Sequence, residues 1–377
     1  MIESPGFLIT VVAFLCVIGP LVFVHEMGHY WAARLFGVKI EAFSIGMGRE
    51  VAGWTDKRGT RWKLAWAPIG GYVRFAGDMN AVSKPSAEWL ALPAEERQRT
   101  FQAKPVWQRA IIVAAGPAVN FVLAILILAG FAFAYGDSRT PANVGAVAPG
   151  SAAQAAGLQA GDRITAIGGR EVALFGDLAR FVAVRPGEAV RIELIRAGQA
   201  QSLTATIGVD EQGDRFGNRF RVGQLGVLAA EPVIVPVSLI EAPIVAVRRT
   251  GQILRVMVDT IGQIVTGRRS LRDMGGPLRI AKTSGEQITL GLEAFVGLIA
   301  LVSINLGFIN LLPIPMLDGG HLLFYAIEAV RRRPVGAAAQ EWAYRGGLAA
   351  LLVLMLTVTI NDLGSFGLWQ RLGGLFG

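Results

Sequence analysis

The chain opens with an uncharged apolar run, residues 7–24, which is long enough to form most of a membrane-spanning helix. Further uncharged runs occupy residues 110–135, 294–317 and 346–361. Of all residues, 53% are hydrophobic and 17% are charged, which is too apolar for one soluble globule and too charged for a bundle without an extramembrane part. The sequence therefore predicts a polytopic α-helical membrane protein with four transmembrane helices and one inserted α+β domain.

The first apolar run ends in His25-Glu26-Met27-Gly28-His29. Residues four apart share one face of a helix, so His25 and His29 can hold one metal ion, and Glu26 stands close enough to act on a water bound to it. Ionisable residues at membrane depth are costly and mark function by default. The short motif by itself also fits two helix-end histidines with polar neighbours. Two of the chain's three His lie here, which favours a metal site.

A second polar cluster, Asp318-Gly319-Gly320-His321, follows the third apolar run. If the first and third helices both cross the membrane inward, the two clusters lie at similar depth near the cytoplasmic face. Two His and one carboxylate leave one position of a tetrahedral site open for water, which is the pattern of a catalytic zinc site. Asp318 completes that set, so His321 is predicted to lie beside the site rather than to bind the metal.

Lys and Arg residues are frequent in the connection after the first helix, whereas the N-terminal tail has none. By the positive-inside rule that connection is cytoplasmic, and both termini and the inserted domain lie on the extracytoplasmic side. The net charge of +8 is explained by such flanking residues, so membrane lipid rather than nucleic acid is the predicted partner. The single cysteine, Cys16, rules out a disulfide within the chain.

Residues 62–75 (WKLAWAPIGGYVRF) contain two strand-like runs around Pro68-Ile69-Gly70-Gly71, a pattern that predicts a membrane-associated β-hairpin. The segment is too apolar for a solvated loop, and backbone at membrane depth must be buried in protein or line a cavity. An exposed strand edge there can bind an extended peptide by adding a strand. The alternative is an interfacial hairpin that rests on lipid.

The predicted order of segments follows from these runs. They are residues 1–36 (first transmembrane helix), 37–109 (cytoplasmic, membrane-associated connection), 110–136 (second transmembrane helix), 142–228 (inserted α+β domain), 231–293 (amphipathic juxtamembrane segment), 294–330 (third transmembrane helix with the Leu-Asp-Gly motif) and 346–368 (fourth transmembrane helix).

The paired motifs, His-Glu-Met-Gly-His and Asn310-Leu-Leu-Pro-Ile-Pro-Met-Leu-Asp-Gly-Gly320, resemble those of the site-2 protease family of intramembrane zinc metalloproteases, and the match is strongest to the bacterial regulator-of-sigma-E protease type. The resemblance covers nearly the whole chain. It implies that Zn²⁺ is bound by His25, His29 and Asp318 and that Glu26 is the general base. It further implies substrate contacts from Asn310 and from a set of hairpin residues: Trp66, Gly70, Gly71 and Tyr72.

The same resemblance implies a substrate and a location. Family members cut single-pass membrane proteins within or beside their transmembrane segment, in regulated intramembrane proteolysis. An anti-sigma factor or a signal-peptide remnant is the substrate expected from the family. The implied location is the bacterial inner membrane, with the active site toward the cytoplasm.

The inserted domain resembles a PDZ domain, chiefly at residues 157–162 (GLQAGD). Its candidate peptide-binding loop contains Gly223, Leu225 and Gly226, so a bound peptide is a predicted partner. The alternative is a folded plug without a ligand. Two other classes of function stay open from the residues alone: a divalent-metal transporter and a non-catalytic PDZ scaffold of the membrane.

Overall fold

The computed structural model describes residues 6–77, 93–213, 219–267 and 275–365. The chain divides into two units. The membrane unit contains Met1–Leu128, Ala246–Arg255 and Leu271–Gly377, and the inserted unit contains Ala129–Val245 and Val256–Ser270. All residues predicted to bind metal or to act as the base belong to the membrane unit.

The helices of the described residues are α1 (Phe7–Leu35), α2 (Ala94–Gln98), α3 (Val106–Tyr135), α4 (Ala152–Ala155), α5 (Phe175–Ala183), α6 (Ala242–Val265), α7 (Pro277–Leu290), α8 (Leu292–Leu311), α9 (Asp318–Arg331) and α10 (Ala337–Ser365). The strands are β1 (Ile40–Thr55), β2 (Arg61–Phe75), β3 (Asp137–Arg139), β4 (Val144–Val147), β5 (Arg163–Ile167), β6 (Arg170–Glu171), β7 (Ala189–Arg196), β8 (Gln199–Thr206), β9 (Gly208–Gly213), β10 (Arg219–Gln224), β11 (Val227–Ala229) and β12 (Val233–Val235). Within these ranges, α1, α3, α8 and α10 are long and apolar enough to cross a membrane. Their number agrees with the predicted four.

Helix α1 packs against α8 and α3 within the membrane unit. Its first half packs Ala13, Val17 and Leu21 against Phe295 and Val302 of α8. Near its end, a methyl group on Gly28 would stand 2.4 Å from the carbonyl oxygen of Ala115, so the backbones of α1 and α3 are in direct contact. This close crossing brings the histidines of α1 to the backbone of α3.

The predicted hairpin around residues 68–71 is wrong in its strand pairing, although the chain does reverse there. Strand β2 runs through these residues, and its two halves, 61–64 and 71–74, both pair with residues 42–45 of β1 instead of with each other. The chain reverses between the strands, at residues 56–60, where the Asp56 carboxylate accepts the backbone N–H groups of Arg58 and Thr60 and Gly59 adopts a positive φ of 83°. The chain also reverses between the two halves of β2: the partners of residues 42–45 rise from 61 to 64 in the first half and fall from 74 to 71 in the second, so the halves run in opposite directions.

The segment predicted as one third transmembrane helix, residues 294–330, is two helices, α8 and α9. Leu312 is extended, as expected for a residue before proline, and Pro313 removes a helix hydrogen bond. Met316 has a φ of 84°, so the backbone changes direction a second time before α9 begins at Asp318. The break places Asp318 in the first turn of a new helix.

Other segment bounds differ from the predicted ones. Helix α3 begins at Val106 rather than at residue 110, and α10 begins at Ala337 rather than at residue 346. In both cases only the apolar part of the helix was predicted, and polar residues extend it toward the N-terminus. The described parts of residues 231–293, predicted as one amphipathic segment, contain β12, α6, α7 and the start of α8; residues 268–274 of this segment lie outside the described residues.

The inserted unit is built on a four-stranded sheet in the order β6-β5-β7-β8. Along β7, buried Val190, Ile192 and Leu194 alternate with exposed residues, as expected for a strand with one buried face. These side chains form a core with Leu178 and Val182 of α5.

One ion pair of the inserted unit makes its stability depend on pH. The Asp162 side chain is 1% exposed and receives two hydrogen bonds from Arg196, at 2.7 and 2.6 Å. These bonds hold the pKa of Asp162 below its usual value. The ionised carboxylate therefore stabilises the fold at any pH above the unfolded-state pKa of about 3.9, and this contribution is lost as the pH falls through the lower folded-state pKa.

We expect Arg196→Gln to unfold the inserted unit at a higher pH than the wild type, because Asp162 would lose its partner in a buried position. The pH of unfolding is measured on the purified chain as the onset of pepsin cleavage within residues 163–206 between pH 5 and pH 2. Arg191→Gln is the matched control on the same strand, since Arg191 is 69% exposed. Equal acid profiles for the two variants would contradict the assigned role.

Candidate metal centre

Three side chains of the membrane unit converge on one point. His25 and His29 lie one turn apart on α1, and Asp318 begins α9. The His25 Nε2 atom is 3.2 Å from Asp318 Oδ2, His29 Nε2 is 3.5 Å from the same oxygen, and the two Nε2 atoms are 3.3 Å apart. Within the described residues, they form a group of possible metal-binding side chains.

The spacing of these three atoms fits a bound metal ion. Ligand atoms held at about 2.0–2.2 Å in a tetrahedral zinc site stand about 3.3–3.6 Å apart, close to the three observed separations. The Asp318 Oδ2 atom is buried and has no hydrogen-bond partner among the described residues. A buried carboxylate oxygen without a partner is costly, and a cation between the three atoms would satisfy it.

His29 is fixed in the state that metal binding needs. Its Nδ1 atom lies 2.9 Å from the carbonyl oxygen of Ile112. A carbonyl oxygen only accepts, so Nδ1 carries the proton and Nε2 keeps its lone pair. The Nε2 atom is the one that faces Asp318.

Asn120 of α3 stands in the corresponding position beside His25. Its side-chain nitrogen Nδ2 is 3.1 Å from His25 Nδ1. In this orientation of the amide, the buried Oδ1 atom has no hydrogen-bond partner among the described residues. With the amide turned so that Oδ1 faces His25, it accepts the Nδ1–H and leaves Nε2 free for a metal. The Ser303 hydroxyl of α8 donates to the Asn120 backbone carbonyl at 2.8 Å and fixes this part of α3.

Gly116 of α3 leaves the space that His29 occupies. A methyl group there would stand 2.3 Å from His29 Nε2, the nitrogen that faces Asp318. From the sequence, Asn120 is the one amide of this apolar helix and is expected either to form an interhelix hydrogen bond or to line the site, whereas the space that Gly116 leaves for His29 was not predicted. The available signal was Gly116-Pro117 with Asn120 one turn later in an otherwise apolar helix.

Glu26 is buried beside the three converging side chains and next to strand β2. A methyl group on Gly71 would stand 3.1 Å from Glu26 Cγ and 2.7 Å from the Ser44 carbonyl oxygen. Glycine at this position therefore lets the strand approach α1. The Glu26 carboxylate also lies near the Val73 backbone of the same strand.

A cavity of about 590 Å³ contains the group and opens along β2. Of the predicted substrate contacts, Asn310, Gly70, Gly71 and Tyr72 line it. Trp66 does not line it and is 70% exposed, so the structure does not bring this predicted contact to the site. Met47 and Met316, which were not predicted from the sequence, also line the cavity.

His321 lines the same cavity without belonging to the metal-binding group. Its Nδ1 atom is 2.9 Å from the Tyr344 hydroxyl of α10. This agrees with its predicted place beside the site.

The predicted peptide loop of the inserted unit is tightly packed. Leu225 is part of the core, and its carbonyl oxygen accepts the Ala153 N–H at 2.8 Å. A methyl group on Gly223 would stand 2.0 Å from the Val182 carbonyl oxygen, and one on Gly226 would stand 2.2 Å from Ser151 Cβ. The two glycines are thus explained by packing, and peptide binding stays a prediction.

An apolar membrane helix that carries two His and a glutamate, with a carboxylate from the helix that follows α8, defines a membrane protein with a catalytic type of metal centre. Residues 13–354 match the model of peptidase family M50. The chain therefore belongs to peptidase family M50, which confirms the family and the enzyme class predicted from the paired motifs.

Two relatives cover nearly the whole chain. A protein of Agrobacterium fabrum named "Putative zinc metalloprotease Atu1380" is 44% identical over 97% of this chain and 98% of its own length. "Metalloprotease MmpA" of Caulobacter vibrioides is 40% identical over 98% of this chain and 99% of its own length. A solved PDZ domain of the SdrC-like protein from Listeria monocytogenes is 18% identical, covers 24% of this chain and 88% of that structure, and has a TM-score of 0.20, which supports no argument about the inserted unit.

Proposed function

We propose that this chain is an intramembrane zinc endopeptidase that cleaves the transmembrane segments of single-pass membrane proteins. Zn²⁺ as the metal is supported by the donor set and by the names of the relatives. The observation that carries the proposal is the convergence of His25, His29 and Asp318 at metal-binding distances, with Glu26 buried beside them in a membrane helix.

His25, His29 and Asp318 are the proposed zinc ligands, and the bound zinc would polarise a water and the scissile carbonyl. Glu26 takes the proton of the attacking water and passes it to the leaving amine as general acid. Burial in the cavity keeps bulk water away from these charges and strengthens their effect. Asn310, which lines the cavity, is the proposed donor to the substrate carbonyl.

Strand β2 is the proposed substrate-binding element. Its residues 71–74 pair with 42–45 of β1 on one edge, and Gly70, Gly71 and Tyr72 line the cavity. A substrate unwound from its helix can add to the edge that faces the cavity, through backbone hydrogen bonds that do not depend on its side chains. Extended binding of this kind exposes the peptide bond that a helix would hide.

The remaining parts of the proposal concern location and regulation. The enzyme lies in the bacterial inner membrane with the metal toward the cytoplasm and the inserted unit outside, which the distribution of Lys and Arg supports. The inserted unit acts as a PDZ-like peptide-binding module in regulated intramembrane proteolysis, with an anti-sigma factor or signal-peptide remnant as substrate.

Metal removal and restoration test the function. The purified chain in detergent is given a single-pass transmembrane peptide, then the same peptide after chelation, and again after one equivalent of zinc. We expect cleavage within the apolar segment, its loss on chelation and its return with zinc. Zinc flux into sealed vesicles without cleavage would favour the transporter, and neither metal binding nor cleavage would favour the scaffold.

We expect Asn120→Ala to weaken zinc binding by about 10- to 100-fold, because His25 would lose the group that fixes its ring and its proton. Zinc affinity is measured by competition with a chelator of known affinity. Ser303→Ala is the neighbouring control, since it removes a bond to the Asn120 backbone without touching the amide. An unchanged zinc affinity in Asn120→Ala would show that the amide only joins two helices.

A further inference from the structure

A second cavity of the membrane unit, of about 630 Å³, lies where α1 ends and shares no lining residue with the catalytic cavity. Its wall is made from the end of α1, the start of β1, the turn between β1 and β2, and the end of α2. The charged side chains on this wall are Arg34, Lys39, Arg58 and Arg99, with Glu41 and Glu96.

The positive charges of this wall outnumber its two glutamates, and Asp56 of the adjoining turn acts electrostatically on Arg34. Glu41 is paired with Arg74, at 3.4 Å, outside the set of lining residues. Among the described residues, Arg34, Lys39 and Arg99 form no ion pair, and neither does Arg58. Four cations that converge on one concave surface repel each other, so the arrangement favours a bound anion.

The surroundings of the cavity indicate a membrane surface. Trp31 and Leu35, on the last turns of α1, are exposed apolar side chains, and Leu35 is next to Arg34 in the chain. Trp107 at the start of α3 is also exposed and packs edge-on against Phe36, with ring centroids 5.4 Å apart. Exposed Trp at the end of an apolar helix is typical of the membrane–water interface.

We propose that this cavity binds a phosphate-bearing anion, supplied by the headgroup of an acidic phospholipid. The cations surround the phosphate, and the acyl chains lie along the apolar side chains at the end of α1. Basic pockets beside membrane helices bind anionic headgroups in this way. The site goes beyond the proposed protease function and does not require it.

The proposal is tested on the full chain, purified in detergent and stripped of lipid. Dioleoyl phosphatidylglycerol or dioleoyl phosphatidylcholine is titrated, and lipid retained per chain is counted by native mass spectrometry. We expect selective retention of phosphatidylglycerol. The double variant Arg34→Gln with Arg99→Gln should weaken phosphatidylglycerol binding about 30-fold, because each lost cation weakens it about fivefold.

Arg331→Gln with Arg333→Gln is the matched control, since it removes the same charge from two exposed positions elsewhere in the membrane unit. Arg34→Lys with Arg99→Lys keeps the charge and should keep most of the binding, which separates a lost site from a misfolded chain. Equal losses in the cavity variant and the control would overturn the proposal. Inorganic phosphate that binds the wild type and displaces no lipid would identify a soluble anion as the ligand and overturn the lipid source.

Discussion

Replacing Glu26 by Gln is expected to lower peptide-bond cleavage by about 10²- to 10⁴-fold while one zinc stays bound per chain. Glutamine has nearly the shape of glutamate, so the contact with Gly71 is kept. It cannot take a proton from water, and the three proposed metal-binding side chains are untouched. Zinc content and single-turnover cleavage of a transmembrane peptide, measured on the same preparation, give both results.

Glu293→Gln is the control for this substitution, because Glu293 is an exposed carboxylate in the first turn of α8. It should change neither zinc content nor rate. If Glu26→Gln lost its zinc, Glu26 would belong to the metal-binding group rather than act as the base. If it kept both zinc and full activity, the proton would be carried by another residue.

Gly116→Ala is expected to remove zinc binding and activity together. The added methyl group would meet His29 Nε2 at 2.3 Å, and the ring cannot move aside without breaking its hydrogen bond to the Ile112 carbonyl. Overpacking of this kind costs about 1–3 kcal/mol, and the displaced nitrogen is the proposed metal ligand. Zinc per chain, with the thermal unfolding midpoint as a second readout, measures the effect.

Gly130→Ala is the matched control on the same helix, because a methyl group there meets nothing within 4 Å. Alanine is favoured over glycine inside a helix by about 1 kcal/mol, so this variant should be as stable as the wild type or more so. The two Gly→Ala changes should therefore have opposite effects. Normal zinc content in Gly116→Ala would show that α1 and α3 can separate without loss of the site.

The sequence predicted the converging residues because each carries a strong local signal. The spacing of His25 and His29 places them on one helix face, and Asp318 follows an uncharged run that must end at the same membrane surface as the first. Neither inference needs the details of packing. The number of apolar helices follows in the same way from length and charge.

The features that the sequence did not predict depend on which helices touch. Helix α3 is apolar all round, so no periodicity shows that Gly116 and Asn120 face α1. The turn at residues 56–60 was missed because the more apolar residues 68–71 also carry turn signals. Pro313 and Pro315 indicated a break before α9. The conformation of the break also depends on the positive φ of Met316, and methionine is not a residue type that predicts a positive φ.

The order of the metal-binding residues along the chain has a consequence for biosynthesis. His25 and His29 enter the membrane with the first helix. Asp318 is synthesised much later, after the entire inserted unit. A ribosome makes the chain from its N-terminus, so the nascent protein holds two imidazoles and a glutamate in the bilayer for most of its synthesis without their third partner. With these three side chains as the proposed ligands, stable metal uptake needs all of them, so we expect it only after Asp318 has been made, when an active site can first be complete.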